Sequence, residues 1–175
     1  MDKNDPFLQK LSEGQIIEKA VRDRLQDLLP GYTVRCTDQD TRSLEREEFS
    51  LVDVIVLKGE HPVLGIECKR SETKFRKCRE INGWDGDYNT PLNNTSLRKY
   101  KESQFPFWVI NINQFCHKAF AADLDTILKS RHDYGQKKKS GVIIYNIDSS
   151  AWMTYEDRFK LTDILSDIIR KELTL

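Results

Sequence analysis

Residues 49–70, FSLVDVIVLKGEHPVLGIECKR, constrain the fold of this chain more than any other stretch. Side chains alternate faces along a strand, so Phe49, Leu51, Asp53, Ile55 and Leu57 share one face and Val52, Val54 and Val56 the other. Both faces are apolar, which predicts a strand covered on two sides, in the middle of a layered molecule. After KGEHP a second strand places Val63, Gly65, Glu67 and Lys69 on one face and Leu64, Ile66 and Cys68 opposite. Asp53 breaks the apolar pattern. An ionised carboxylate among Val and Ile loses hydration at a cost of several kcal/mol, so the chain must compensate it with a partner.

Reading KGEHP as a five-residue turn centred on Glu60 pairs Leu57 with Val63, Ile55 with Gly65 and Asp53 with Glu67. Opposed residues stand roughly 4.5–5.5 Å apart at Cβ on one face. Two carboxylates that close repel each other unless a divalent cation lies between them. Oxygen ligation with room for water is the preference of Mg²⁺, with Mn²⁺ as its substitute. Gly65, between the two acids, is expected to leave space for a ligand against the backbone. Lys69 follows on the same face, where an ammonium can orient a water or stabilise charge growing on a phosphate. An aspartate, a glutamate and a lysine around a divalent ion suit phosphodiester hydrolysis. The competing reading is a structural acid paired with Lys69 or with an arginine.

The elements around this hairpin follow from periodicity. SEGQIIEKAVRDRLQDLLPG reads as a helix, opened by a capping-box pattern at Ser12 and Gln15 and stopped by Pro30-Gly31, with Ile17, Ala20, Val21, Leu25 and Leu28 as its core stripe. YTVRC is a first strand. A basic helical stretch is expected from Ser71 to about Ile81, and NGWDGDYNTPLNN reads as a long loop. TSLRKYKES is a short helix, FPFWVININ a strand, and CHKAFAADLDTILKS helical in its second half. GVIIYNID is a strand, SSAWMTYED a connector, and RFKLTDILSDIIRKEL a closing amphipathic helix. Helix first, then strands with helices between and after, predicts an α/β sandwich with a mixed central sheet flanked by helices. At 175 residues one domain is expected, its core over about 12–147 and its last helix over about 157–173.

Asp53 with Glu67-Cys68-Lys69 on a strand hairpin resembles the PD-(D/E)xK nuclease superfamily, which has the restriction-endonuclease-like fold. The order of elements from about Gly14 to Asn113 agrees with that family's core. The resemblance implies a nuclease with Mg²⁺ as cofactor, acting on DNA and less often on RNA. It implies Asp53 and Glu67 as metal ligands together with the backbone carbonyl of Cys68, and Lys69 as the catalytic lysine. It also implies a metal-site glutamate on the first helix, which Glu18 within Gly14 to Glu18 would supply; its competing reading is a rim glutamate paired with Arg22. Val52 stands where the family often has proline. A second acid-x-lysine triplet, Glu72 to Lys74, follows the strand and has no facing acid.

Net charge is zero, yet Lys69, Arg70, Lys74, Arg76, Lys77 and Arg79 gather against Glu72 alone. This segment is expected to track a phosphate backbone without reading sequence, and its alternative is a solvated face. No apolar segment is long enough to span a bilayer, and four cysteines without metal-ligand spacing fit reduced thiols, so a cytoplasmic location is expected. Small nucleases of this kind work as dimers or within a larger assembly, and the same is expected here. A catalytically silent nucleic-acid-binding or accessory module on the same fold, and an RNA-directed nuclease, are the alternatives. Asp85, Asp87 and Asn89 begin like a calcium loop but lack its glycine and terminal glutamate. Trp84 and Tyr88 could stack on a base or anchor their loop.

Overall fold

A proline at the first turn of a helix loses no hydrogen bond, and α1 (Pro6–Leu28) begins on one. The capping-box pattern at Ser12 and Gln15 therefore lies inside the helix and does not open it. The computed structural model describes residues 6–37, 52–71, 89–113, 118–130, 132–134, 142–146, 153–155 and 161–173. Val21, Leu25 and Leu29 are buried at helical spacing, with Ile17 and Leu28 packed at their margin. Ala20, expected in that stripe, is exposed.

The remaining elements are β1 (Thr33–Cys36), β2 (Val54–Lys58), β3 (His61–Ser71), β4 (Asn89–Asn93), α2 (Asn94–Glu102), β5 (Phe107–Asn113), β6 (Lys118–Asp123), α3 (Leu124–Lys129), β7 (His132–Tyr134), β8 (Val142–Asn146), β9 (Met153–Tyr155) and α4 (Leu161–Glu172). Among the described residues the strands form a six-stranded sheet in the order β1-β2-β3-β5-β6-β9 and a three-stranded sheet in the order β4-β8-β7. β3 and β5 run parallel and the other pairs of the large sheet antiparallel, so the central sheet is mixed. Helices cover it, and the architecture is the expected α/β sandwich. Two readings are corrected here. Asn89–Asn93 is a strand and not part of a loop, and Met153–Tyr155 pairs with β6 at the sheet edge and is not a mere connector.

Two cores flank the large sheet. Val54, Val56, Leu64, Ile66, Trp108 and Ile110 pack under α1 and α4. Ile55, Leu57, Phe107, Val109 and Phe120 pack under α2 and α3, with Leu92 of β4. Val54, Ile55 and Val56 are fully buried, as a strand covered on both faces requires. At 25 cal/mol per Å² each such side chain contributes about 1.5–3 kcal/mol. Trp108 donates from Nε1 to Glu172 Oε1 at 2.8 Å, which ties α4 to the sheet. No described helix is long and apolar enough to cross a membrane.

Candidate active site

The hairpin turn is tighter than the sequence suggests. Lys58 pairs with His61, so Gly59 and Glu60 alone form the turn, and Gly59 has the left-handed φ of 64° that glycine adopts without a Cβ clash. The ladder then steps from Leu57–Pro62 to Val56–Leu64, with Val63 as a bulge. Bulge and short turn offset each other, and Ile55 pairs with Gly65 as expected. The next step past the last ladder pair, Val54–Ile66, brings Asp53 level with Glu67.

Two details depart from simple alternation. Val52 packs with Ile55 and Leu57, and Val63 with Leu64 and Ile66, each on the face opposite to its expected one. The space above Gly65 is filled. A Cβ there would lie 2.6 Å from Phe105 Cε2 and 2.9 Å from Val52 Cγ1, so this glycine admits packing side chains and not a ligand.

Asp53 accepts a hydrogen bond from the Cys68 N–H through Oδ2 at 2.7 Å. Burial, then the charge of Glu67, push its carboxyl up from 3.8 to about 7, against the pull of the Cys68 N–H and of Lys69; Glu18 adds to the rise. Glu67 is buried, 6% exposed, and its Oε1 pairs with Lys69 Nζ. Burial pushes Lys69 down, but Glu67 and then Asp53 outweigh it and raise the ammonium above its usual value. Lys69 is therefore a cation at neutral pH. Burial and the surrounding carboxylates push the Cys68 thiol up, so it is neither a thiolate nor a nucleophile.

Glu18 is half-buried on α1, over the face that carries Cys68, and its Oε2 is shielded from solvent. Its charge reaches Asp53, although among the described residues no three His, Cys, Asp or Glu side chains are gathered tightly enough to ligate one ion. The structure thus brings Asp53, Glu67 and Lys69 together and sets Glu18 at their margin. The side chain of Arg70 and all of Lys74, Arg76, Lys77 and Arg79 lie outside the described residues, as do Trp84 and Tyr88.

One further polar residue belongs to this neighbourhood. Asn111 is 1% exposed and pairs in register with Lys69 across the parallel β3–β5 ladder, so the two share a face. The signal was present in FWVININ, where Asn111 falls in phase with the buried Phe107 and Val109.

Among solved structures, a nuclease from a fusselovirus matches this chain with a TM-score of 0.50 and 16% identity, over 98% of each chain. At that identity the likeness concerns the fold. No protein-family model matches the sequence, and no curated protein is similar to it at the sequence level.

Proposed function

We propose that this chain is a divalent-metal-dependent nuclease of the PD-(D/E)xK type that hydrolyses phosphodiester bonds in DNA. The observation that carries the reading is the pair of carboxylates, half-buried Asp53 just before β2 and buried Glu67 on β3, level with each other with Lys69 beside them. The likeness in fold to a viral nuclease supports it.

The donor set fits a hard cation such as Mg²⁺ or Mn²⁺. Both acids offer oxygen, each commits one oxygen to the protein, and the raised Asp53 carboxyl marks a place short of positive charge. Asp53 and Glu67 would hold the ion with the Cys68 carbonyl, and Glu18 would assist from α1. When bound, the ion supplies Lewis-acid activation of water and of the phosphodiester. Lys69, fully protonated at neutral pH, acts as a charged hydrogen-bond donor to the attacking water or to the phosphate, and not as a base. Glu67 is buried and Asp53 and Lys69 are half-buried, so their charges act in a partly dehydrated setting where they are stronger than in bulk water. The basic segment from Arg70 to Arg79 would hold the nucleic acid backbone.

The Glu67–Lys69 ion pair also supports a second reading, a nucleic-acid-binding module in which that pair is purely structural. The test is incubation of the protein with supercoiled plasmid, single-stranded circle, four-way junction and RNA, in Mg²⁺, Mn²⁺ or chelator. Asp53→Ala and Lys69→Ala run alongside. Metal-dependent cleavage of DNA that both substitutions abolish is the expected result. Metal binding without cleavage of any substrate selects the second reading, and cleavage of RNA alone selects an RNA-directed enzyme.

A further inference from the structure

Asp53 lies in a bend. Ladder pairing of β2 begins one residue later, at Val54, and Val52 has left the alternation of the strand. Strand pairing therefore does not fix the main chain that carries the acid. Thr37, the residue after β1, does so. Its hydroxyl donates to the carbonyl of Val52, and its N–H donates to the carbonyl of Asp53 at 3.1 Å. Those two carbonyls belong to the peptides on either side of the Asp53 Cα. Fixing both peptides fixes φ and ψ of Asp53 and leaves only side-chain rotation to aim the carboxylate, which the Cys68 N–H then captures. Thr37 is 1% exposed, so water does not compete for either bond.

We propose that Thr37 is a positioning residue whose hydroxyl sets the main chain at Asp53 and so places its carboxylate beside Glu67 to share a cation. This rests on reading Asp53 as a metal-binding acid. Thr37→Val keeps shape, approximate volume and backbone N–H and replaces the hydroxyl with a methyl. Thr37→Ser restores the hydroxyl.

Three readouts on the full chain separate positioning from mere stability. In metal-free protein, the Cys68 amide should exchange on the order of tenfold faster in Thr37→Val, while the amides of Ile66 and Val109 keep their protection. Mn²⁺ affinity should weaken on the order of tenfold, as should kcat on plasmid DNA, with KM unchanged. Thr37→Ser should return all three towards wild type. Thr37→Ala, which also lacks the hydroxyl but puts no methyl against the Val52 carbonyl, carries the same expectation if Thr37→Val does not fold. A variant that melts earlier yet keeps the Cys68 amide protection and Mn²⁺ affinity of wild type overturns the proposal. Wild-type protein that binds Mn²⁺ and cuts nothing removes the nuclease reading alone. Wild-type protein that binds no Mn²⁺ removes the metal reading, and the Cys68 amide then decides for or against Thr37.

Discussion

Replacing Asp53 with asparagine should make the metal-free protein more stable at alkaline pH while abolishing cleavage. The carboxyl is raised from 3.8 to about 7 by burial and by Glu67, so the folded state binds a proton more tightly than the unfolded chain does. The contribution of Asp53 to stability is therefore full below about pH 4, falls as pH rises from about 4 to about 7, and is level above that. The gap from 3.8 to about 7, at 1.36 kcal/mol per pH unit, corresponds to a penalty on the order of 4 kcal/mol in the alkaline range. Asparagine carries no charge at any pH. Its carbonyl oxygen can still accept from Cys68, and its NH₂ offers Glu67 a donor in place of a like charge. Urea unfolding in chelator at pH 5 and pH 8.5 reads the effect as a difference of differences. The expected gain of Asp53→Asn over wild type is about 2–4 kcal/mol larger at pH 8.5 than at pH 5. With Mg²⁺ in place of chelator, wild type should recover stability through binding and the variant should not. A variant less stable than wild type at pH 8.5, or a difference independent of pH, would refute the claim that Asp53 is a strained acid held for a cation.

The packing above Gly65 gives a second prediction: with Phe105 Cε2 at 2.6 Å and Val52 Cγ1 at 2.9 Å from an added Cβ, Gly65→Ala should cost about 1–3 kcal/mol, seen as a lowered Tm in calorimetry. Lys69→Met alone leaves Glu67 buried without its cation, so it should destabilise more than Lys69→Met combined with Glu67→Gln. A double-mutant cycle in urea should return a coupling of about 1–3 kcal/mol, and additive single effects would show the pair to be inert. Glu172→Ala leaves the buried Trp108 indole N–H without that acceptor and should cost about 1–2 kcal/mol with cleavage unchanged, a control that separates stability from chemistry.

What could be read in the sequence was what each residue's own type reports. A strand apolar on both faces announces a central position, and Val54 to Leu57 are buried accordingly. The elements missed were short strands at sheet edges. Asn89–Asn93 carries Pro91 and mostly polar residues, a pattern that speaks for a loop, yet an edge strand tolerates proline and needs only one partner, here β8. His132–Tyr134 and Met153–Tyr155, of three residues each, are also edges, defined by the strand beside them more than by their own periodicity. Leu57 pairs with Pro62 and not with Val63 as expected, but from Ile55–Gly65 onward the hairpin register is the expected one, because the short turn and the bulge at Val63 shift it in opposite senses.

The same contrast divides the site. Asp53 was legible because burying a carboxylate costs free energy that its own apolar neighbours in sequence advertise, and Glu67 and Lys69 followed from strand alternation opposite it. Thr37 was not legible. It sits in the polar run CTDQD, and its hydroxyl finds the Val52 carbonyl 15 residues on, a partner that no local pattern specifies. A charge that must be compensated can be found from a single stretch of sequence, whereas the group that aims it is found only when the fold has closed. For this reason, the residues that position the candidate site, Thr37 bonded to the main chain at Asp53 and Asn111 beside Lys69, lie just after β1 and on β5, the strands that flank the acidic hairpin on either side.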